Sequence, residues 1–172
     1  MLTMTSASTI KVHFWNLGAY VSGSLVGGWI DLDYCVDFED FAGKVLDATR
    51  NAEEVILGDY ESDFGISFSE YQGLEAIWAV HEALCEIHES EREPFGDYLA
   101  YIGGVDYLDT AISDWQDHYC GQFKSIEDYA WSFAEDVYPD LANMPPGFRV
   151  EVDTVAWECD HWISANGHVF SS

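Results

Sequence analysis

Two apolar runs near the start of the chain predict a pair of β-strands. The first run begins at Lys11 and the second ends at Leu32, and glycines and serines lie between them, which is typical of two strands joined by a long hairpin. Gly27 and Gly28, inside the second run, predict a bulge or a close approach of another backbone.

A helix and a third strand are predicted next. Phe38, Phe41 and Val45 recur at the spacing of one helix face after Asp37, a residue type that caps helix N-termini. A short apolar run at 55–57 then predicts a strand. The first region is therefore predicted to be a ββαβ domain of residues 1–66.

The middle of the chain is predicted to be helical. Ser67 and Glu70 have the spacing of a capping box, which predicts that a helix begins there. Its apolar face is predicted from Leu74, Ile77, Trp78, His81, Leu84, Cys85 and His88. A second short helix is predicted to start after Pro94 and to end at Gly103, which completes a helical domain of residues 67–104.

The last region mixes helical and strand patterns. An apolar helical stripe is formed by Leu108, Ile112, Trp115 and Tyr119. Ser125 is predicted to cap a further helix that faces inward as far as Val137. The alternating text FRVEVD predicts a strand, and the Asn166-Gly167 pair predicts a terminal hairpin. Residues 105–172 are therefore a predicted α+β domain, and the fold class is α+β.

The composition describes a folded chain with a large excess of negative charge. Of 172 residues, 48% are hydrophobic and 16% are aromatic, which is enough for packed cores. Thirty-two Asp and Glu oppose six Lys and Arg, a formal net charge of −26, and the eleven carboxylates between Asn51 and Glu91 have no Lys or Arg among them. Because polyanions repel such a chain, the charge argues against direct nucleic-acid binding.

The cysteines and the N-terminus predict a cytoplasmic protein. The cysteines, at 35, 85, 120 and 159, follow no disulfide pattern, which indicates reduced thiols. The first nine residues lack the positive and apolar segments of an export signal, and no run approaches 18 apolar residues. We expect neither export nor a membrane span.

Metal binding is a weak candidate. Cysteines and histidines form three close pairs, Cys85 with His88, His118 with Cys120, and Cys159 with His161. None has C-x-x-C or H-E-x-x-H spacing, and a buried helix face explains His81, Cys85 and His88 equally well, so we expect no metal. Asp31 and Asp33 share one strand face and could hold a divalent cation, but a solvated acidic patch is the simpler interpretation.

Catalytic and nucleotide-binding motifs are missing from the sequence. There is no G-x-S-x-G, no G-x-x-x-x-G-K-[ST] and no G-x-G-x-x-G. Because almost one residue in five is acidic, paired carboxylates occur by chance and identify no general acid. We therefore expect no enzyme activity, no catalytic residue and no cofactor.

The acidic surface is the remaining candidate for function. Duplex DNA carries one charge per about 1.7 Å of axis, so −26 equals the charge of roughly 44 Å of duplex, and a two-fold dimer would match roughly 90 Å. Carboxylates at this density could meet the Arg and Lys side chains of a DNA-binding groove where phosphates normally lie. The alternatives are a solvated face or adaptation to high salt.

Three stretches of the sequence resemble the ArdA antirestriction proteins, a family carried by plasmids and conjugative transposons. They are NLGAYVSGSLVGGWIDL (16–32), EEVILGDYESDFGISFSEYQGLEAIW (53–78) and HWISANGHVF (161–170). They lie in the order and spacing of the family, and the NLG-Y-G-LVG-W pattern is fairly specific. The resemblance covers nearly the whole chain from about Lys11.

The resemblance implies an elongated, curved α+β chain of three small domains. Two chains would form a homodimer that looks like bent B-form DNA and blocks type I restriction-modification enzymes. The subunit contact of the family corresponds to HYCGQF, so Tyr119, Cys120 and Phe123 are the expected interface residues.

The resemblance also assigns carboxylates as substitutes for DNA phosphates and not as catalysts. We call these residues the mimic set: Asp31, Asp33, Glu53, Glu54, Asp59, Glu61, Asp63, Glu70, Glu75, Glu82, Glu86, Glu89, Asp106, Asp109, Asp117, Glu127, Asp128, Glu135 and Asp136.

Two other functions stay open on the sequence alone. An acidic adaptor or inhibitor could bind another basic DNA-binding protein or nuclease without imitating a duplex, and it would then not compete with DNA in a length-dependent way. A salt-adapted enzyme should lose its fold in low salt, whereas a mimic should keep its fold and bind its target more tightly there.

Overall fold

A computed structural model of the chain describes residues 8–172. Within this range, seven α-helices and two three-stranded antiparallel sheets confirm the predicted α+β class. The chain divides into two compact units, one up to Ile112 and one from Ser113 to Ser172. The division into three domains at 66 and 104 stays a prediction. The expected lack of an export signal concerns the first nine residues, of which 1–7 lie outside the described range.

The sheet of the first unit has β1 (Lys11–Asn16) at its centre. β2 (Gly27–Asp31) pairs with one side of β1 and β3 (Val55–Glu61) with the other, both antiparallel. This confirms the predicted pair of strands. Their connection is not a plain hairpin, because it contains α1 (Leu17–Val21), whose first turn is capped by the Asn16 side chain.

The predicted close approach at Gly27 is confirmed. A Cβ at this position would overlap the carbonyl oxygen of Phe14, so only glycine fits without a backbone shift. The register irregularity lies on the other side of β1, where the pairing with β3 shifts between His13 and Phe14.

Helix α2 (Phe38–Ala48) packs on the inner face of this sheet. Asp37 caps it as predicted, because its carboxylate accepts a hydrogen bond of 2.8 Å from the backbone N–H three residues later. Phe41 and Val45 are fully buried, and the ring of Phe41 lies 6.5 Å from that of Phe14. The predicted apolar helix face therefore forms the core of the first unit.

Helix α3 (Leu74–Glu86) begins later than the sequence predicts. The predicted capping box of Ser67 and Glu70 is wrong, because this segment is bound to the sheet in a non-helical conformation. The buried side chain of Phe68 fixes it there, and the carbonyl of Glu70 accepts a hydrogen bond of 3.0 Å from the backbone N–H of Leu57.

Helix α3 also ends earlier than the sequence predicts. His81 and Leu84 are buried as predicted, but the helix ends at Glu86 and His88 is exposed. The His88 side chain instead caps a short 3₁₀ turn by accepting a hydrogen bond from the Ser90 N–H at 3.3 Å. His88 is therefore not part of the buried stripe.

Helix α4 (Arg92–Ile102) also starts elsewhere than predicted. It begins two residues before Pro94, not after it, because a proline in the first helical turn breaks no backbone hydrogen bond. Gly103, with φ of +128°, ends the helix as predicted.

Helix α5 (Leu108–His118) buries a different set of side chains from the predicted stripe. Leu108 and Trp115 are buried, but Ile112 is 50% exposed and Ala111 takes the inward position. Ala111 and Ile112 both have the three- and four-residue spacing between Leu108 and Trp115, so periodicity does not distinguish them and packing decides which one is buried.

The sheet of the second unit contains the predicted terminal hairpin. Its strand order is β4 (Tyr119–Gln122), β6 (His168–Ser171), β5 (His161–Ile163), with antiparallel pairing throughout. The Asn166-Gly167 turn joins β5 to β6, which confirms the prediction, and Gly167 has a φ of +85° that favours glycine.

Helix α6 (Ile126–Val137) is capped by Ser125, as predicted. The Ser125 hydroxyl accepts a hydrogen bond of 3.1 Å from the Asp128 N–H. Ile126 and Ala130 are buried, but Val137 is 49% exposed, so the helix faces inward only in its first half.

The strand predicted for FRVEVD is not formed. Residues 148–153 belong to no sheet, and Phe148 is 68% exposed, because alternation stabilises a strand only where a neighbouring strand completes the backbone hydrogen bonds. Asp153 instead caps α7 (Thr154–Asp160) by accepting a hydrogen bond from Ala156 N–H at 3.2 Å.

Gly96 and Gly43 offer a matched pair of helix substitutions. A Cβ at Gly96 in α4 would overlap the Phe64 carbonyl oxygen, whereas a Cβ at Gly43 in α2 meets nothing within 4 Å. We expect Gly96→Ala to lower the free energy of unfolding by about 1–3 kcal/mol. Gly43→Ala should raise it by about 0.5–1 kcal/mol. Urea denaturation of both variants measures this, and an unchanged midpoint for Gly96→Ala would contradict the close packing.

Candidate functional site

The mimic set lies on the surface. All of its members are exposed except Asp31, which is half-buried at the end of β2. Strands and helices hold many of them in fixed positions, including Asp59 and Glu61 on β3 and Glu75, Glu82 and Glu86 on α3. The opposite side of α3 is buried in the core, so its carboxylates are held outward by packing.

Some of the negative charges lie at helix ends where they do not stabilise the helix. Glu127 and Asp128 lie in the first turn of α6, where the helix dipole stabilises negative charge. Glu135 and Asp136 lie in its last turn and Glu86 ends α3, and neither helix has a basic residue in its last turn. Because the helix dipole opposes negative charge at these ends, stability does not explain the carboxylates there.

Three of the six basic side chains make close contacts within the first unit, and the other three are exposed. Lys11 Nζ lies 3.6 Å from a carboxylate oxygen of Glu61. Among the Lys and Arg ion pairs found in residues 8–172, this is the one that includes a member of the mimic set. Lys44 pairs with Asp40 at 2.7 Å, and its hydrogen bond holds the pKa of Asp40 below the usual value. Arg92 is 2% exposed and donates from Nε to a backbone carbonyl. The surface is therefore left strongly negative.

Asp31 and Asp33 are held by backbone donors. One oxygen of Asp33 accepts a hydrogen bond from the Ser8 N–H at 2.7 Å, and the other from the Thr9 N–H at 3.1 Å. Asp31 accepts one from the Asp33 N–H at 3.1 Å and so caps a 3₁₀ turn. Asp33 therefore already stabilises the start of the described chain, and Asp31 stabilises the 3₁₀ turn.

The structure brings together a Cys/His group that the sequence spacing did not indicate. Potential ligand atoms of Asp33, His81 and Cys85 lie within 4.8 Å of one another. His81 Nδ1 is 2.6 Å from the Ser8 hydroxyl, and burial lowers the pKa of His81 and raises that of the Cys85 thiol. These side chains could hold a divalent cation. Their polar atoms instead take part in hydrogen bonds that link residues 8 and 9 to Asp33 and to His81 of α3.

The other two Cys/His pairs have structural partners in the second unit. His118 Nδ1 lies 2.9 Å from the Ser171 carbonyl oxygen, and Cys120 Sγ donates to the His118 carbonyl at 3.4 Å. His161 Nδ1 lies 3.2 Å from the Trp157 carbonyl. These contacts account for both histidines without a ligand.

The expected interface residues lie on or beside β4, an edge strand of the second sheet. Tyr119 is half-buried, and its hydroxyl lies 2.9 Å from His168 Nδ1. Cys120 lies at the register shift between β4 and β6. The half-buried ring of Phe123 packs edge-on against Tyr129, with ring centroids 5.1 Å apart. Part of the Tyr119 side chain and part of the Phe123 side chain therefore belong to the core of the second unit.

One surface feature was missed by sequence reasoning. His13, Trp15, Tyr20 and Trp29 form a row of neighbouring rings in the first unit. The alternation of Lys11, His13 and Trp15 with buried residues of β1 would have indicated it, since alternate residues of a strand share a face.

The comparison with known families decides the identity of the chain. The sequence profile described as antirestriction protein (ArdA) matches residues 13–172, nearly the whole chain. The chain belongs to the ArdA family of antirestriction proteins. No curated protein sequence matches it.

Membership of the ArdA family confirms the resemblance and carries a function with it. The ArdA family implies antirestriction activity, is not a known family of enzymes and suggests an interaction with restriction enzymes. Among the described helices, none is long and apolar enough to cross a membrane.

Proposed function

We propose that this chain is an acidic DNA mimic that acts in the cytoplasm and occupies the DNA-binding groove of type I restriction-modification enzymes. The observation that supports this most is the outward placement of the mimic set, most of it on helices and strands, while Lys11, Lys44 and Arg92 make contacts within the fold. The proposal needs no catalytic residue and no cofactor.

The mechanism follows from the chemistry of a groove that binds phosphates. Its Arg and Lys side chains hydrogen-bond to anionic oxygens, and carboxylates offer the same kind of acceptor. Carboxylates on packed elements lose little conformational freedom on binding, so more of the interaction energy is retained. A net charge of −26 also steers association with a basic partner, and the rate should fall steeply with salt.

The position of the negative charges favours a function over simple solubility. Carboxylates in the last turns of α3 and α6 oppose the helix dipoles. A chain that needed only solubility could place them elsewhere, or could interleave lysines without losing stability. Binding to a basic partner that contacts these positions explains the placement of the carboxylates better.

We extend the proposal to a homodimer with β4 at the subunit contact. An edge strand has unpaired backbone groups that a second copy can bind. Tyr119, Cys120 and Phe123 lie on or beside this strand and are half-buried, which leaves them part of their surface for a partner. Sedimentation equilibrium that gave only the single-chain mass of 19.4 kDa would remove this part of the proposal.

The division into three domains at 66 and 104 is retained as a proposal. The ββαβ sheet, the helices α3 and α4, and the last region each correspond to a distinct stretch of elements. In this proposal each stretch presents its own part of the mimic set to the partner.

Competition with DNA tests the proposed function. The protein should displace labelled duplex from a purified type I restriction-modification enzyme, and the concentration needed should rise with the length of the duplex and with salt. Cleavage and methylation assays in parallel show which activities are blocked.

A basic nuclease of another class is the matched control in this experiment. Equal inhibition of both enzymes, or inhibition without displacement of DNA, would favour an acidic adaptor or a general inhibitor over a mimic. Circular dichroism at low salt separates the remaining alternative, because a salt-adapted protein should unfold there and a mimic should not.

A further inference from the structure

The outer face of the first sheet carries a continuous row of aromatic rings, which we call the aromatic row. The Trp29 and His13 ring centroids are 5.3 Å apart, those of His13 and Trp15 4.3 Å, and those of Trp15 and Tyr20 6.3 Å. Trp29 is 49% exposed and Tyr20 is 52% exposed. About half of the surface of the aromatic residue is thus open to solvent at each end of the row.

Two glycines make room for the Trp15 indole on the sheet. A Cβ at Gly58 in β3 would overlap the Trp15 indole, and a Cβ at Gly27 in β2 would lie 2.8 Å from Trp15 Cε3. Both neighbouring strands therefore lack a side chain where the indole lies. Trp15 is held in place by the backbone on both sides.

Sheet register places carboxylates on the same face as the row. Lys11 is opposite Asp31 on β2 and Glu61 on β3, and His13 is opposite Asp59. Residues opposite one another in antiparallel strands share a face. Three carboxylates and a single lysine therefore flank the aromatic rings.

We propose that this face, the aromatic row with Asp31, Asp59 and Glu61, binds arginine side chains of a basic partner protein. A guanidinium group is planar, stacks on aromatic rings and presents a fork of donors to a carboxylate. Lysine offers a compact, strongly hydrated charge that does neither as well. The face therefore selects arginine over lysine.

The charges on the face decide against an apolar partner. A hydrophobic helix or strand placed on the aromatic row would take the neighbouring carboxylates out of water without a counter-charge, which is strongly unfavourable. A guanidinium removes that penalty while its flat face covers the exposed part of Trp29. The nearby Lys11 is engaged with Glu61 at 3.6 Å. One oxygen of Asp31 and one of Asp59 accept backbone hydrogen bonds, at 3.1 and 2.8 Å, so the second oxygen of each carboxylate is the acceptor that the partner would meet.

This inference deepens the proposed function and rests on it for the identity of the partner. It names arginine as the side chain that one part of the acidic surface recognises. A surface of carboxylates alone would discriminate less between arginine and lysine, because it would lack the stacking on aromatic rings that favours a guanidinium.

Peptide titration of the ¹⁵N-labelled protein tests the inference. Tryptophan indole N–H signals are resolved individually, and the variant Trp29→Leu identifies its own signal by loss. Tetra-arginine amide should shift the Trp15 and Trp29 signals and bind this face roughly two- to fivefold more tightly than tetra-lysine amide at equal ionic strength.

The variant Trp29→Leu should lower that affinity ratio, because it removes the most exposed indole of the aromatic row. Its fold should be kept, because Trp29 is half exposed. Phe148→Leu, which changes an exposed aromatic residue of the second unit, should leave the ratio unchanged. Equal binding of the two peptides to the unmodified protein, or a preference that is undiminished in Trp29→Leu, would overturn the inference.

The two proposals fail separately. Arginine preference in a protein that does not inhibit type I restriction-modification enzymes would remove the proposed function and support recognition of arginine in a different partner. Inhibition with no preference between the peptides would remove the arginine site and leave a charge mimic.

Discussion

Replacement of five carboxylates of the first unit by amides is expected to raise the concentration needed for half-inhibition of a type I restriction-modification enzyme roughly ten- to a thousandfold. The five are Glu53, Glu54, Asp59, Glu61 and Asp63. Exposed ion pairs typically contribute about 0.2–1 kcal/mol each, and about 1.4 kcal/mol is tenfold in affinity, so losses at separate sites add up to this range. Amides keep the shape of each side chain, and inhibition of DNA cleavage measures the effect.

The matched control keeps the charge and changes only side-chain length. Exchange of Asp for Glu and of Glu for Asp at the same five positions should leave inhibition within about fivefold, as should any single amide substitution. Both sets of variants should unfold at the same temperature as the unmodified protein. Loss of inhibition on a single substitution would replace a distributed surface by one discrete site.

Phe41→Ala is expected to lower the free energy of unfolding by about 3–5 kcal/mol. Phe41 is fully buried, and its ring packs against Phe14 of β1 and stacks on Trp78 of α3, with centroids 6.5 and 5.8 Å away. Truncation would open a cavity where the sheet, α2 and α3 meet. Urea denaturation followed by circular dichroism measures the loss.

Leu46→Ala on the same helix is the control for this prediction. Leu46 is 43% exposed, so its truncation should change the free energy of unfolding by less than about 1 kcal/mol. Native-state hydrogen exchange adds a readout of cooperativity. If Phe41→Ala raised exchange in the sheet and left α3 protected, the two would be separate folding units, in agreement with a boundary near residue 66.

The helix caps and the terminal hairpin were accessible from sequence because their signals are local. Asp37 and Ser125 cap α2 and α6 as predicted, and Asn166-Gly167 forms the turn between β5 and β6. Each depends on the conformation of a few consecutive residues. Such features form where no contact with a distant segment competes with them.

Several of the errors concern elements whose conformation depends on distant partners. Ser67 and Glu70 have a helix-start pattern, but Phe68 is buried and the backbone of Leu57 binds this segment. The FRVEVD stretch alternates correctly, but no strand within residues 8–172 completes its hydrogen bonds. His88 has helical spacing, but α3 has already ended. Local periodicity cannot report a contact with residues far along the chain.

The candidate surface was predicted only in outline. A charge of −26 and the ArdA-like stretches were readable directly, and the exposure of most carboxylates follows from the cost of burying an unpaired charge. The Asp33, His81 and Cys85 group and the aromatic row were not predicted. Their members come from different elements, and strand register and helix packing bring them together.

The sequence by itself determined the acidity, the α+β class, the helix caps, the hairpin turn and the family. These depend on composition and on short-range patterns, which every conformation of the chain carries. Tertiary structure alone decided where the basic side chains are used and which face of the first sheet exposes Trp29 between carboxylates. Burial and register are properties of pairs of distant segments, so they exist only once those segments have packed.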